Sequence, residues 1–210
     1  MKALTAVAGL ALSLVTFTAP MCAQSISFGL RGSGNVPSGT FSDQTSGSNV
    51  LQGAKSGFGY GADVGVSLAM IGLYAGFDHV SFDCQATTCG SNGEYTLQGV
   101  TAGVKLMMPL ATRFRPFVRG GVTFHDLTGT YGTGSTSSSL TTDRTPGYEV
   151  GVGGDYSFYS LASFTPMIRY VGQNFDAKIP GVTSTATTKN QGANYFSFDL
   201  GFSLHSPFGM

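Results

Sequence analysis

Apolar side chains recur at every second position in eight stretches of this chain, each roughly ten residues long. A period of two sends successive side chains to opposite faces of an extended strand, so each stretch has one apolar and one polar face. The stretches are residues 25–33, 57–68, 71–82, 95–108, 114–127, 147–156, 163–175 and 195–204. The last is the clearest: Phe196, Phe198, Leu200, Phe202 and Leu204 oppose Ser197, Asp199, Gly201 and Ser203. In the fourth, Tyr95 and Leu97 have the wrong parity, which suggests a β-bulge in its upper half.

Charge placement agrees with this register. Arg31, Asp63, Asp78, Lys105, Arg119, Glu149, Asp155, Arg169 and Asp199 all fall on the polar face of their stretches. A one-residue slip would exchange the faces, so the agreement carries register information. The links between stretches alternate strictly in length. Those after the second, fourth and sixth are short, whereas 34–56, 83–94, 128–145 and 176–194 are long. The pattern predicts an all-β fold: an eight-stranded antiparallel transmembrane β-barrel with short periplasmic turns and long extracellular loops. A water-soluble barrel with its apolar faces inward would instead expose a thinly charged, Gly-rich surface, since only 10% of residues are charged and 31 are Gly. Phe58, Tyr60, Tyr148, Tyr156, Phe164 and Phe175 near the strand ends suit aromatic belts at the membrane interfaces. The Gly-, Ser- and Thr-rich long links are expected to be mobile loops.

Residues 1–23 read as a signal peptide, with Lys2, an apolar run over 6–17, Pro20, and cleavage after Ala23. Residues 24–210 then form the barrel domain, and the outer membrane of a Gram-negative-type bacterium is the expected location. Cys22 follows Pro20 and Met21, where a lipoprotein box needs aliphatic and small residues, so lipid anchoring is not expected. Cys84 and Cys89, five apart in an exported chain, are expected to form a disulfide.

Eight strands leave a lumen that side chains fill, so charges inside it must pair. The expected interior charge network comprises Arg31, Asp63, Arg119, Glu149, Asp155, Arg169 and Asp199. Hairpin registers set Arg169 level with Asp199 and diagonal to Glu149, closure brings Arg31 near Asp199, and Arg119 is placed near Asp155. A structural plug with no open pore is the favoured reading, against a proton or ion path. His79, His125 and His205 lie on different strands, so no metal site is expected. The scattered Gly-x-Gly pairs open no helix, and no cofactor is expected. With 11 basic and 11 acidic residues the chain shows no nucleic-acid footprint.

The mature chain resembles the small OmpA/OmpX-like and opacity-type outer-membrane barrels. The likeness rests on the strand pattern, on the phrase PFVRGGV at 116–122, on GYEVGVGGDY at 147–156, and on the last strand. It departs from the family's terminal aromatic residue, because Phe208 stands two residues before the end, and no periplasmic domain is expected after the eighth strand. The resemblance implies a monomeric integral membrane protein of structural or surface-interaction type. Its partners would be outer-membrane lipid, lipopolysaccharide, and an extracellular ligand or surface reached by the loops. A narrow porin-like channel for small solutes is the alternative, or a lipid A-modifying enzyme. For the last, His79, Ser81 and Glu94 are similar to the His-x-Ser plus Glu arrangement of lipid A deacylases, a base, nucleophile and orienting carboxylate. Phe82 stands where that family has Asn.

Overall fold

The computed structural model describes residues 24–43, 51–89, 93–108, 113–133, 136–179 and 186–208. The predicted leader 1–23, with Cys22, lies outside them. The strands are β1 (Gln24–Ser38), β2 (Ala54–Leu68), β3 (Ile71–Cys84), β4 (Glu94–Met107), β5 (Phe114–Thr133), β6 (Thr136–Thr142), β7 (Thr145–Tyr159), β8 (Ala162–Ile179), β9 (Ala186–Gly192) and β10 (Asn194–Phe208). Only Asp143 and Arg144 separate β6 from β7, and only Ala193 separates β9 from β10. Each of these pairs therefore acts as one interrupted stave. Eight antiparallel staves close into a barrel, since β10 pairs with both β8 and β1. Both the strand count and the closure follow the alternation in the sequence.

The ladders fix the barrel's stagger. From Arg31, successive partners are Gly61, Asp78, Gly99, His125 and Thr145, and the same registers continue through residues 175 and 191. Extending the β10–β1 register returns the path to position 41, and 41 − 31 is a stagger of ten residues. With a rise near 3.3 Å and a strand spacing near 4.8 Å, that stagger tilts the strands by about 40°. The outward apolar row of β2 from Phe58 to Leu68 then spans about 25 Å along the axis, the height of an outer-membrane hydrophobic band. Phe58 is 83% exposed and Val152 is 55% exposed, so these side chains turn away from the barrel interior.

Two expectations about the long links and the fourth strand are corrected. Much of 128–145 and 176–194 is strand, because β5 folds back as β6 and β8 folds back as β9. The β-branched Thr residues that make these links look like loops also suit strands. Residues 134–135 and 180–185 lie outside the described part. There is no bulge in β4, whose ladders to β3 and β5 run without a shift. Tyr95 and Leu97 instead point inward, at 0% and 1% exposure. The polarity of the two faces, not the register, changes along the strand. Leu106, Val104 and Val100 face outward lower down, followed by outward Gln98, Thr96 and Glu94. Phe175, expected in an outer belt, is likewise inside and fully buried.

Replacing Val152 by Arg puts a charge at the middle of the outer apolar band, so barrel stability in lipid vesicles is expected to fall by about 2–4 kcal/mol, against about 0–1 kcal/mol for Thr130→Arg beyond the band. Denaturant unfolding followed by the gel mobility of unboiled protein measures both. Equal losses would refute the placement of the band.

Candidate functional site

The lumenal face of β5 passes through every layer of the interior. From the end with the short turns upward it presents Arg115, Phe117, Arg119, Gly121, Thr123, His125 and Leu127. Arg119 belongs to an ionic layer, Thr123 and His125 to a polar transition, and Leu127 to an apolar cap.

Arg169 is the hub of the ionic layer, at 1% exposure. It makes a two-pronged contact with Asp199, Nε to Oδ2 at 2.8 Å and Nη2 to Oδ1 at 2.9 Å. It also donates to Glu149 Oε2 at 2.8 Å and to Asp78 Oδ1 at 3.3 Å. Arg31 donates to Asp63 and, at 2.8 Å, to Asp78. Its contact with Asp199 is looser, at 3.9 Å. Arg119 donates to Glu149, which also accepts the Tyr74 hydroxyl at 2.6 Å. The Arg119 guanidinium lies 3.8 Å above the Tyr74 ring. Tyr74 reaches Glu149 by crossing Gly103 and Gly121, where a Cβ would stand only 2.5 and 2.6 Å from its hydroxyl. Glycine on the lumenal face is thus what admits the long polar side chains.

Three guanidiniums (Arg31, Arg119, Arg169) face four carboxylates (Asp63, Asp78, Glu149, Asp199) in this layer. Buried charges are tolerated only when paired and hydrogen-bonded, and here each buried carboxylate has at least two donors. Asp63 is the most solvated of the four, with 26% of its side chain exposed.

Two expected placements differ. The β8–β10 register sets Arg169 opposite Ser197 and Asp199 opposite Met167, so the bonded pair is offset by two residues and not level. Arg119 bonds Glu149 and not Asp155, and Asp155 accepts Lys105 at 2.7 Å and Thr165 at 2.9 Å. The β5–β7 register puts Glu149 opposite Gly121, two positions from Arg119, and Asp155 opposite Arg115, four positions from it. The hairpin that sets this register, β5 folding back as β6, lies in the stretch 128–145 that reads as a loop, so the register is hidden in the sequence. Asp78, Lys105 and Tyr74 join the interior pairings although the sequence reading did not name them for the network. For Asp78 and Lys105 the signal was present, since both lie on the polar parity.

Above the ionic layer, the Thr123 hydroxyl donates to Gln173 Oε1 at 3.0 Å. The His125 ring is buried beside this pair, with neither nitrogen hydrogen-bonded among the described residues. The cap follows, built on Phe41, Phe82, Tyr95, Leu127, Phe175 and Tyr195, each at most 1% exposed. Phe41 arrives from the short 3-10 turn Gly39–Phe41, which folds into the barrel mouth. Its ring centroid is 5.2 Å from Phe82 in an edge-on contact and 5.4 Å from Tyr95. The Cys84–Cys89 disulfide packs into the same cluster, with its Cα atoms 5.9 Å apart. Full burial of such side chains contributes roughly 1.5–3 kcal/mol each.

The three candidate catalytic residues sit outside the lumen with other neighbours. The His79 ring stacks on Tyr60 at 4.9 Å, Ser81 Oγ meets Thr96 Oγ1 at 3.5 Å, and Glu94 pairs across the ladder with Asp83. His79, His125 and His205 lie on β3, β5 and β10, and no metal-binding group of three or more His, Cys, Asp or Glu occurs among the described residues. Arg169→Met would leave three buried carboxylates short of their shared cation. It is expected to cost about 3–5 kcal/mol, whereas Asp63→Asn, removing the carboxylate nearest water from a layer with one in excess, is expected to cost under about 1 kcal/mol. Denaturant midpoints test the contrast, and an Arg169→Met barrel as stable as wild type would refute it.

The family model described as outer membrane protein beta-barrel domain matches residues 9–205. Among solved structures the chain is similar to the outer membrane protein OprG of Pseudomonas aeruginosa, at 13% identity over 88% of this chain and 96% of that one, with a TM-score of 0.55. It is similar to neisserial surface protein A at 12% identity over 86% and 96%, with a TM-score of 0.53. It is also similar to Ail, the attachment invasion locus protein of Yersinia pestis, at 14% identity over 89% and 100%, with a TM-score of 0.51. At these identities the likeness is one of fold. No curated protein sequence matches. With a matched family model over nearly its whole length and a closed barrel that is apolar outside and ionic within, the chain belongs to the outer-membrane β-barrel family.

Proposed function

We propose that this protein is a non-conducting outer-membrane barrel of structural and surface-interaction type, exported by a leader cleaved after Ala23 and working as a monomer. The observation that carries this reading is the double closure of the lumen. A solute would have to break the salt bridges around Arg169 and then part the aromatic side chains around Phe82 and Tyr95. Breaking a buried ion pair costs several kcal/mol, and the cap adds its own burial energy.

The closed mouth supports the surface role. Because the cap fills the barrel beyond the membrane, β5–β6 and β8–β9 rise from a packed base and hold the outer connections on a rigid platform. Lipopolysaccharide around the outer rim and a ligand or surface beyond the cell are the partners this shape suits. The similar Ail is named for attachment and invasion. Which ligand is bound is a matter for the residues of the outer connections. Purified protein in planar lipid bilayers is expected to give no discrete current steps. Reproducible ohmic steps from the folded, heat-modifiable form would overturn the non-conducting reading.

A further inference from the structure

Toward the periplasmic end, below the ionic layer, the lumen opens into a small vestibule of mixed lining with a water-accessible volume of about 60 Å³. One water needs about 10–15 Å³ on that measure, so there is room for a small ion with a water or two. The carboxylates bordering it are already engaged. Asp155 takes the Lys105 ammonium at 2.7 Å, Asp63 takes Arg31, and Asp199 takes Arg169 at 2.8 and 2.9 Å. Arg115 lines the same vestibule and stands directly across the ladder from Asp155, whose salt bridge is to Lys105. Arg115 consequently makes no ion pair with any described residue. The walls facing it carry the hydroxyls of Ser25, Ser27, Ser67 and Ser203, and the His205 ring at the rim is held by Ser163 at 2.7 Å.

We propose that this vestibule binds an oxyanion of phosphate size, gripped by the Arg115 guanidinium and completed by wall hydroxyls. The chemistry follows from what is left over: one planar, two-pronged cation, several hydroxyl donors, and bordering carboxylates that each already hold a cation. A guanidinium matches two oxygens of a phosphate group, and low-dielectric walls concentrate its field on the cavity. The group bound is a free phosphate or the phosphate of a phospholipid headgroup at the periplasmic mouth. The ionic layer and cap above it make this a docking site and not a step on a path through the barrel.

Two arms separate the sources. In the first, the full folded chain in maltoside micelles and phosphate-free buffer is titrated with inorganic phosphate while the Arg115 Nε NMR resonance is followed. In the second, the same resonance is compared between those micelles and nanodiscs containing phosphatidylglycerol without free phosphate. A saturable shift in the first arm assigns a free anion, and a shift confined to the second assigns a lipid headgroup. Either supports the site. Arg115→Gln is expected to weaken the phosphate response, read by calorimetry, by about tenfold or more. Arg144→Gln, which alters an exposed guanidinium bonded to Asp126, is expected to leave it unchanged. The wild-type resonance reads the site even where Arg115→Gln fails to fold. No shift in either arm, or an Arg115→Gln barrel that binds as wild type does, would overturn the proposal.

Discussion

A sheet that crosses lipid must satisfy all of its own backbone hydrogen bonds, because hydrocarbon offers no partners for a free edge. Closure of β10 on β1 meets that constraint, and the rest of the molecule follows from it. Eight staves staggered by ten residues make a cylinder whose backbone radius is about 8 Å, an interior just wide enough for side chains to fill. The lumen must therefore be packed. Its packing must be polar where the outer face is apolar, because the strand alternates.

The interior then takes a form that makes buried charge tolerable, a network in which each of these ions has an opposite partner and the central ones have several. Arg suits the hub because its planar fork serves two carboxylates at once, as Arg169 does with Asp199 and Glu149. Glycines alternate with these long side chains and give them room, most plainly where Tyr74 lies across Gly103 and Gly121. The abundance of Gly is thus a packing requirement of a narrow ionic lumen and not a sign of a slack chain.

Beyond the outer rim the solvent outside is water, and the strands respond without changing register. On β4 the outward row passes from Val100 to Gln98 while the inward row passes from Thr101 to Leu97. One polypeptide thereby makes an inside-out barrel within the membrane and an ordinary apolar-cored barrel above it. That switch is why the sequence was legible in some places and not others. Parity along each strand revealed the eight staves, and it put all nine strand charges on the polar face. The same parity test, applied with one rule for the whole strand, misread Tyr95 and Leu97 as a bulge, whereas Phe175 was sent to the outer belt by its place near a strand end, against the parity it shares with inward Arg169. A change of parity sense along β3, β4 and β5 was the available signal. The partner of Arg119 was not legible, because the β5–β6 hairpin that sets the register with β7 lies in a stretch that read as a loop. The β6 and β9 returns were hidden for a related reason, since Ser- and Thr-rich composition is shared by loops and by strands exposed to water.

The claim on which everything rests is that the outer face of a single strand changes solvent partway along. Nitroxide labels placed singly at Leu106, Val104, Val100, Gln98 and Glu94 of β4, in protein folded into lipid vesicles, test it through their collisions with oxygen and with a water-soluble nickel chelate. Oxygen contact is expected to dominate from Leu106 to Val100, with nickel contact taking over at Gln98 and Glu94. Nickel access at Val104 and Val100, or oxygen contact at Glu94 as strong as at Val104, would contradict the account.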